Sequence, residues 1–324
     1  MRFVIHGAGA IGGAVGARLF QQGADVTLVA RGAHGEALRD GLVLESPDET
    51  VTLPVPVVGH PDQAGWTDDT VVLLGVKGQD TDGALNQLMG APAGTPVVCM
   101  QNGVENERRV RRRFARTYAM CVMCPATHLR PGVIQVHSAP ITGLLDLGCY
   151  PGGLDEGAES IAAAIDATAF QSVARPDIMR WKYRKLIMNL ANAVEALCGP
   201  AGRFSPLARA AQAEGLAALE AAGIDVASAE EDTARRADHL QLRGTAAGDR
   251  SGGSSWQSLA RGTGSIEAEF LNGEIVLLGG WHGMATPVNA VLEREALRAA
   301  LAGRGPGCWD IGALSERAGV AHDR

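Results

Sequence analysis

Arg2-Phe3-Val4-Ile5-His6-Gly7-Ala8-Gly9-Ala10-Ile11-Gly12 opens the chain and decides its fold. Arg2 to His6 reads as a short buried strand, and a helical pattern from Ala10 to Gln22 follows it across a Gly-x-Gly-x-x-Gly turn. Gly7 permits the tight turn, Gly9 lets backbone approach a pyrophosphate, and Gly12 lets the helix pack close to the strand. Ala8, Ala10 and Ile11 fill the positions between, and the helix N-terminus offers N–H donors to phosphate oxygens. Glycine is common in this chain, at 42 residues, so the motif takes its meaning from lying after a strand and before a helix. A second strand, Asp25 to Val29, completes a βαβ unit and with it a dinucleotide site.

The residue after that strand reports on the dinucleotide. Val29-Ala30-Arg31-Gly32 has no carboxylate for ribose hydroxyls. It presents Arg31, whose guanidinium suits the extra phosphate of NADP(H), although an arginine at a strand end is also an ordinary solvated residue. Two later loops, Val76-Lys77-Gly78-Gln79 and Gln101-Asn102-Gly103, follow the candidate strands Thr70 to Val76 and Pro96 to Gln101. Ligands of parallel sheets bind beyond the carboxyl ends of strands, so Lys77, Gln79 and Asn102 are candidate cofactor contacts and Asn102 a candidate substrate contact. Asn-Gly is equally a common turn pair.

Further candidate strands are Tyr118 to Cys124, Val133 to His137 and Ile141 to Leu147. After Arg175 to Asp177, where a proline falls, the texture changes to helix. Candidate helices cover Ile178 to Leu197, Ser205 to Ala222, Ala227 to Leu242, Glu267 to Leu278 and Asn289 to Ala302. The predicted organisation is an α/β domain over 1–176, its strands apolar on both faces as a parallel sheet requires, and an all-α domain over 177–324. The glycine- and serine-rich stretch from Gly244 to Ser255 reads equally as an ordered loop or a mobile one.

Lys185, Asn189 and Asn192 are spaced by four and three, which puts them on one helix stripe. Among Leu186, Met188, Leu190 and Val194 such groups are costly to bury without partners, so the stripe suggests a lined cleft; a solvated basic face is the alternative. Lys182 is a neighbouring cation of the kind that lowers an ammonium pKa, an effect that a close carboxylate would oppose. Ser254-Ser255-Trp256 and Glu267-Ala268-Glu269 form a second polar constellation, in residue types that also serve as helix caps and helix-entry acids.

Of the chain's 324 residues, 46% are hydrophobic and 20% charged, enough for two packed domains. The net charge of −7 argues against nucleic acid or a membrane surface as partner, in favour of a small molecule. No apolar run approaches a bilayer span and no signal-peptide core is present, so the expected location is the cytoplasm. The six cysteines are scattered, and Cys121 and Cys124 lack the second pair or histidine cluster of a zinc site; no metal is expected. The run Arg108 to Arg116 follows two glutamates and reads as a solvated helix face. His6, His128, His137 and His282 are each possible general bases without a partner motif.

Seven segments in this order resemble the ketopantoate reductase (2-dehydropantoate 2-reductase) family. They are GAGAIG at 7–12, Arg31, VKGQ at 76–79, QNG at 101–103, KLIMN at 185–189, SSW at 254–256 and IEAEFLNG at 266–273. The resemblance implies an N-terminal Rossmann-type doubly wound sheet, a helical C-terminal domain, and NADPH reducing a branched 2-keto acid in the cleft between them. The product would feed pantothenate synthesis, and a homodimer is expected at family level. By position, Lys185 matches the catalytic lysine that supplies the ketone oxygen with a proton, and Glu267 the acid near the substrate hydroxyl. Asn102, Asn189 and Ser255 match substrate-positioning groups, Lys77 and Gln79 the cofactor loop, and Arg31 the phosphate-binding arginine. The chain departs from the family where a second asparagine is usual: Ala193 stands there, with Asn192 beside it as the candidate. It also carries Ile266-Glu267-Ala268-Glu269 in place of Thr-Glu-Ile-Asp. Those departures bear on the substrate and keep open a reductase of another keto acid. An NADP(H)-binding redox sensor is the rival reading, opposed by the retained Lys185 and Glu267.

Overall fold

The computed structural model describes residues 1–237, 239–245, 248 and 252–321. The chain divides into two compact units, one of Met1–Asn102, Asn106–Lys182 and Ala229–Arg250, the other of Gly103–Glu105, Tyr183–Ser228 and Ser251–Arg324.

In the first unit the chain runs β1 (Arg2–His6), α1 (Ala10–Gln21), β2 (Asp25–Val29), α2 (Gly32–Arg39), β3 (Leu42–Glu45), β4 (Thr50–Leu53) and β5 (Val57–Val58). There follow β6 (Thr70–Leu74), α3 (Thr81–Gln87), β7 (Val97–Cys99), α4 (Asn106–Arg111), β8 (Thr117–Met123), β9 (Ala126–Thr127), β10 (Val133–Val136), β11 (Gly143–Cys149), α5 (Glu156–Asp166) and β12 (Phe170–Gln171). The main sheet has the order β12-β11-β8-β7-β6-β1-β2-β5, parallel in every pairing except β8 with β11. Both faces are covered. On β1, Phe3 and Ile5 join a core with α1 and α5 residues, while Val4 joins Leu85 and Val110 from α3 and α4 on the opposite face. This two-sided burial is why the strands read as continuous apolar runs.

A second sheet, β4-β3-β10-β9, was not anticipated. Its strands are short, and β4 alternates exposed with half-buried residues, so it lacks the apolar signal of a core strand.

The second unit is helical. Its elements are the end of α6 (Ile178–Asn189), α7 (Ala191–Cys198), α8 (Pro206–Ala221), then, after α9 (Ala229–Arg236) of the first unit, α10 (Ser254–Ala260), α11 (Asn272–Trp281), α12 (Pro287–Leu301) and α13 (Ile311–Arg317). Two expectations change here. The single helix predicted from Ile178 to Leu197 is two helices that meet at Leu190, whose carbonyl accepts a hydrogen bond from Asn272 Nδ2 at 3.3 Å. The helix predicted from Ala227 to Leu242 is only Ala229–Arg236. Residue 238 of that stretch, and 246–247 and 249–251 of the Gly244 to Ser255 loop, lie outside the described residues.

Helix α9 is tied to the sheet at Asp146 on β11, which is 4% exposed. Arg235 grips it with Nη2 on Oδ1 at 2.7 Å and Nε on Oδ2 at 2.8 Å, and Arg175 Nε adds a bond of 2.6 Å to Oδ2. Burial alone would raise this carboxyl's pKa, but the two guanidiniums outweigh it and hold it below its ordinary value.

Candidate functional site

In the first unit, Gly7 sits at φ +103°, and a Cβ there would lie 2.5 Å from Val76 N. A Cβ on Gly12 would overlap the Gly7 carbonyl. Both positions demand glycine for internal reasons. Gly9 does not: a Cβ there would meet nothing within 4 Å, so the protein leaves open space above the turn. Gly9 is also the N-cap of α1, makes no side-chain cap, and no acidic residue occupies the first turn. Helix N–H donors facing open space, with no internal anion, fit a dinucleotide's phosphates.

Arg31 is the exposed N-cap of α2. Three residues on, His34 ties the turn to the second sheet. Its Nδ1 accepts from Gly132 N–H at 3.0 Å, so Nε2 carries the hydrogen and donates to Ala8 O at 2.8 Å. Burial depresses its pKa, which preserves that neutral form. Sequence reasoning missed His34, although its spacing from Arg31 within the first turn of α2 was a usable signal. His6, at the end of β1, is 4% exposed and burial lowers its pKa to about 4, so it is a neutral core residue near pH 7.

The loops after β6 and β7 are where the sequence put them. Lys77 is half-buried and caps a 3-10 turn, Gly78–Asp80, that contains Gln79. Asn102 is half-buried, and its carbonyl accepts from Asn106 Nδ2 at 3.3 Å. Lys182 has the close carboxylate that opposes the effect expected of a neighbouring cation. It is 3% exposed, pairs with the fully buried Glu107, and donates to Gln101 O at 2.9 Å.

In the second unit, Lys185 is half-buried on α6, and Asn189, at the end of that helix, is 3% exposed. Asn189 Nδ2 is buried without a hydrogen-bond partner. Ser255 is the same: 2% exposed, its Oγ buried and unpartnered. Neither serine caps α10, whose N-cap is Gly253, so the capping explanation for this pair falls away. An orphaned polar group inside a protein carries a desolvation cost of about 1–3 kcal/mol, and Asn189 Nδ2 and Ser255 Oγ are two such groups.

Asn192 is differently engaged. It lies on α7, beyond the break, and its Oδ1 accepts from Arg203 Nη1 at 2.8 Å. Arg203 also holds Glu195 Oε2 at 2.9 Å, and Glu195 Oε1 accepts from Gly253 N–H at 3.1 Å. The network therefore braces the start of α10, one residue before the serines. Glu267 is 6% exposed on a 3-10 turn, Glu267–Phe270. Arg261, half-buried, feels its charge: burial lowers the guanidinium's pKa and Glu267 opposes that. No group of three metal-ligating side chains occurs among the described residues, and none of their helices is long and apolar enough to cross a membrane.

Residues 3–152 match the family model for ketopantoate reductase PanE/ApbA, and residues 177–296 match that for its C-terminal domain. The chain belongs to the ketopantoate reductase family. The 2-dehydropantoate 2-reductase of Archaeoglobus fulgidus is 31% identical over 300 residues, 90% of this chain and 95% of that protein. The one from Pyrococcus horikoshii is 32% identical over 192 residues, 59% of this chain and 62% of that protein. Among solved structures, a PanE/ApbA family ketopantoate reductase from Ralstonia eutropha JMP134 shares 27% identity at a TM-score of 0.77, over 94% of this chain and 99% of its own. A D-mandelate dehydrogenase solved with NADH and anilino(oxo)acetate has the same fold, at TM-score 0.78 and 20% identity over 93% of this chain and 98% of its own. Ketopantoate reductase membership thus accounts for the α/β sheet followed by helices.

Proposed function

We propose that this chain is an NADPH-dependent reductase of a branched 2-keto acid, 2-dehydropantoate first, acting in the cytoplasm and feeding pantothenate synthesis. The observation that carries this reading is the pair of buried, unpartnered atoms Asn189 Nδ2 and Ser255 Oγ at positions the family uses for substrate. NADPH, when bound, supplies the hydride. The N-terminus of α1 would hold the pyrophosphate, Arg31 would hold the 2′-phosphate, and Lys77, Gln79 and Asn102 would contact the cofactor from the loops after β6 and β7. In the second unit Lys185 hydrogen-bonds the ketone oxygen and gives up its proton as negative charge develops there, an interaction stronger in the transition state than in the ground state. Asn102, Asn189 and Ser255 orient the keto acid, and Glu267 accepts from its hydroxyl. Asn192, with its carbonyl bonded to Arg203, contributes to the substrate side through the network that braces α10.

Ser255→Ala tests the substrate side. It removes a donor that gains its partner only in the complex, so KM for the keto acid should rise about tenfold while NADPH affinity stays unchanged. Unchanged KM would remove Ser255 from the site. Arg31→Ala tests the cofactor side. Loss of charge-assisted bonds to phosphate should weaken NADPH about 10- to 100-fold and NADH by less than about twofold, read from binding titrations of both. Equal weakening of the two would contradict the phosphate role.

A further inference from the structure

Helix α4 carries three polar side chains, Asn106, Glu107 and Arg109, that bear directly or through a partner on the loops at the carboxyl ends of β6 and β7. Asn106, fully buried, donates to Asn102 O at 3.3 Å and is itself fixed by Thr81 Oγ1, which donates to Asn106 Oδ1 at 2.7 Å. Arg109, from the basic run read as a solvated face, donates to Gly78 O at 2.8 Å and pairs with Asp82 at 3.0 Å. Between them Glu107 binds Lys182, and Lys182 donates to Gln101 O at 2.9 Å. The carbonyls of residues 78, 101 and 102 are thus each held by a side chain of α4 or by its ion-pair partner.

A buried ion pair is a poor device for stability alone, because well-packed apolar residues of similar volume do as well or better. The pair supplies what an apolar contact does not, a charged donor fixed at the Gln101 carbonyl beside Asn102. Glu107 holds the ammonium in place. We propose that Lys182 and Glu107 are positioning residues that set the Gln101-Asn102 backbone, and through it the Asn102 side chain, for the reacting end of the site. The proposal rests on the reading that Asn102 faces cofactor and substrate.

The test is the double variant Lys182→Met/Glu107→Leu, which removes both charges together and leaves neither stranded. Its thermal midpoint should stay within about 4 °C of the parent. Positioning predicts that kcat with the keto acid falls about 10- to 100-fold while NADPH affinity, anchored at Arg31 and α1, is retained. It also predicts faster backbone amide exchange at residues 100–102. Parental kcat with parental exchange would overturn the proposal and leave the pair a structural filler. If the double variant does not fold, Lys182→Met/Glu107→Gln, which also removes both charges and the donor to Gln101 O but keeps a polar group at 107, is read by the same two measurements with the same meaning. If the parent reduces no keto acid at all, the proposed function fails, and amide exchange alone then decides whether the pair fixes the loop.

Discussion

Replacing Lys185 by alanine is expected to lower kcat and kcat/KM together by about 10³-fold, with the NADPH dissociation constant nearly unchanged. Hydride addition turns a ketone oxygen into an alkoxide, and a fixed ammonium both stabilises that charge and delivers its proton. A single oxyanion donor contributes about 10²–10³-fold and general acid catalysis about 10²–10⁴-fold, and the two overlap in one side chain. An equal fall in both constants marks an interaction made only in the transition state. Steady-state rates with NADPH in excess measure it. A variant as fast as the parent would remove Lys185 from the chemistry, whatever the fate of the family assignment.

The second large effect is on folding. Lys182→Met alone leaves Glu107, fully buried, with no counter-charge, and also strips the donor from Gln101 O. An uncompensated buried charge costs about 3–5 kcal/mol, a large share of a domain's total stability of about 5–15 kcal/mol. Urea unfolding should report that loss, and adding Glu107→Leu to the same protein should recover most of it. A single variant as stable as the parent would mean that the pair is solvated in solution. Recovery in the double variant alongside lost turnover would separate the pair's structural cost from its positioning role.

Local sequence carried the first unit well because its signals are local. The strand of Arg2–His6, the glycine turn and α1 lie within about twenty residues and each follows from short-range sterics. Arg31 stands out for the same reason, two residues past the second strand. Lys182 was not, because its partner Glu107 lies 75 residues away and basic neighbours make it look like part of a solvated face. Asp146 and Arg235, separated by 89 residues, escaped in the same way, and with them the tie between α9 and the sheet. Spacing by four and three set Lys185, Asn189 and Asn192 on one stripe, but only if one helix ran through all three. The junction falls at Leu190, whose carbonyl accepts from Asn272, 82 residues away in sequence, a contact invisible to periodicity. The orphaned atoms of Asn189 and Ser255 emerge only when burial and hydrogen bonding are counted in three dimensions.

The central claim is reduction of a branched 2-keto acid by NADPH, and its most direct test is NADPH oxidation by the purified chain across a panel of keto acids. The panel holds 2-dehydropantoate, its smaller branched analogue 2-oxoisovalerate, and pyruvate. The account predicts steady oxidation with 2-dehydropantoate, at a kcat/KM at least about tenfold above that for pyruvate, since each buried methyl or hydroxyl contact contributes to discrimination. Tight NADPH binding without consumption on any of the three, or equal rates on all of them, would contradict it.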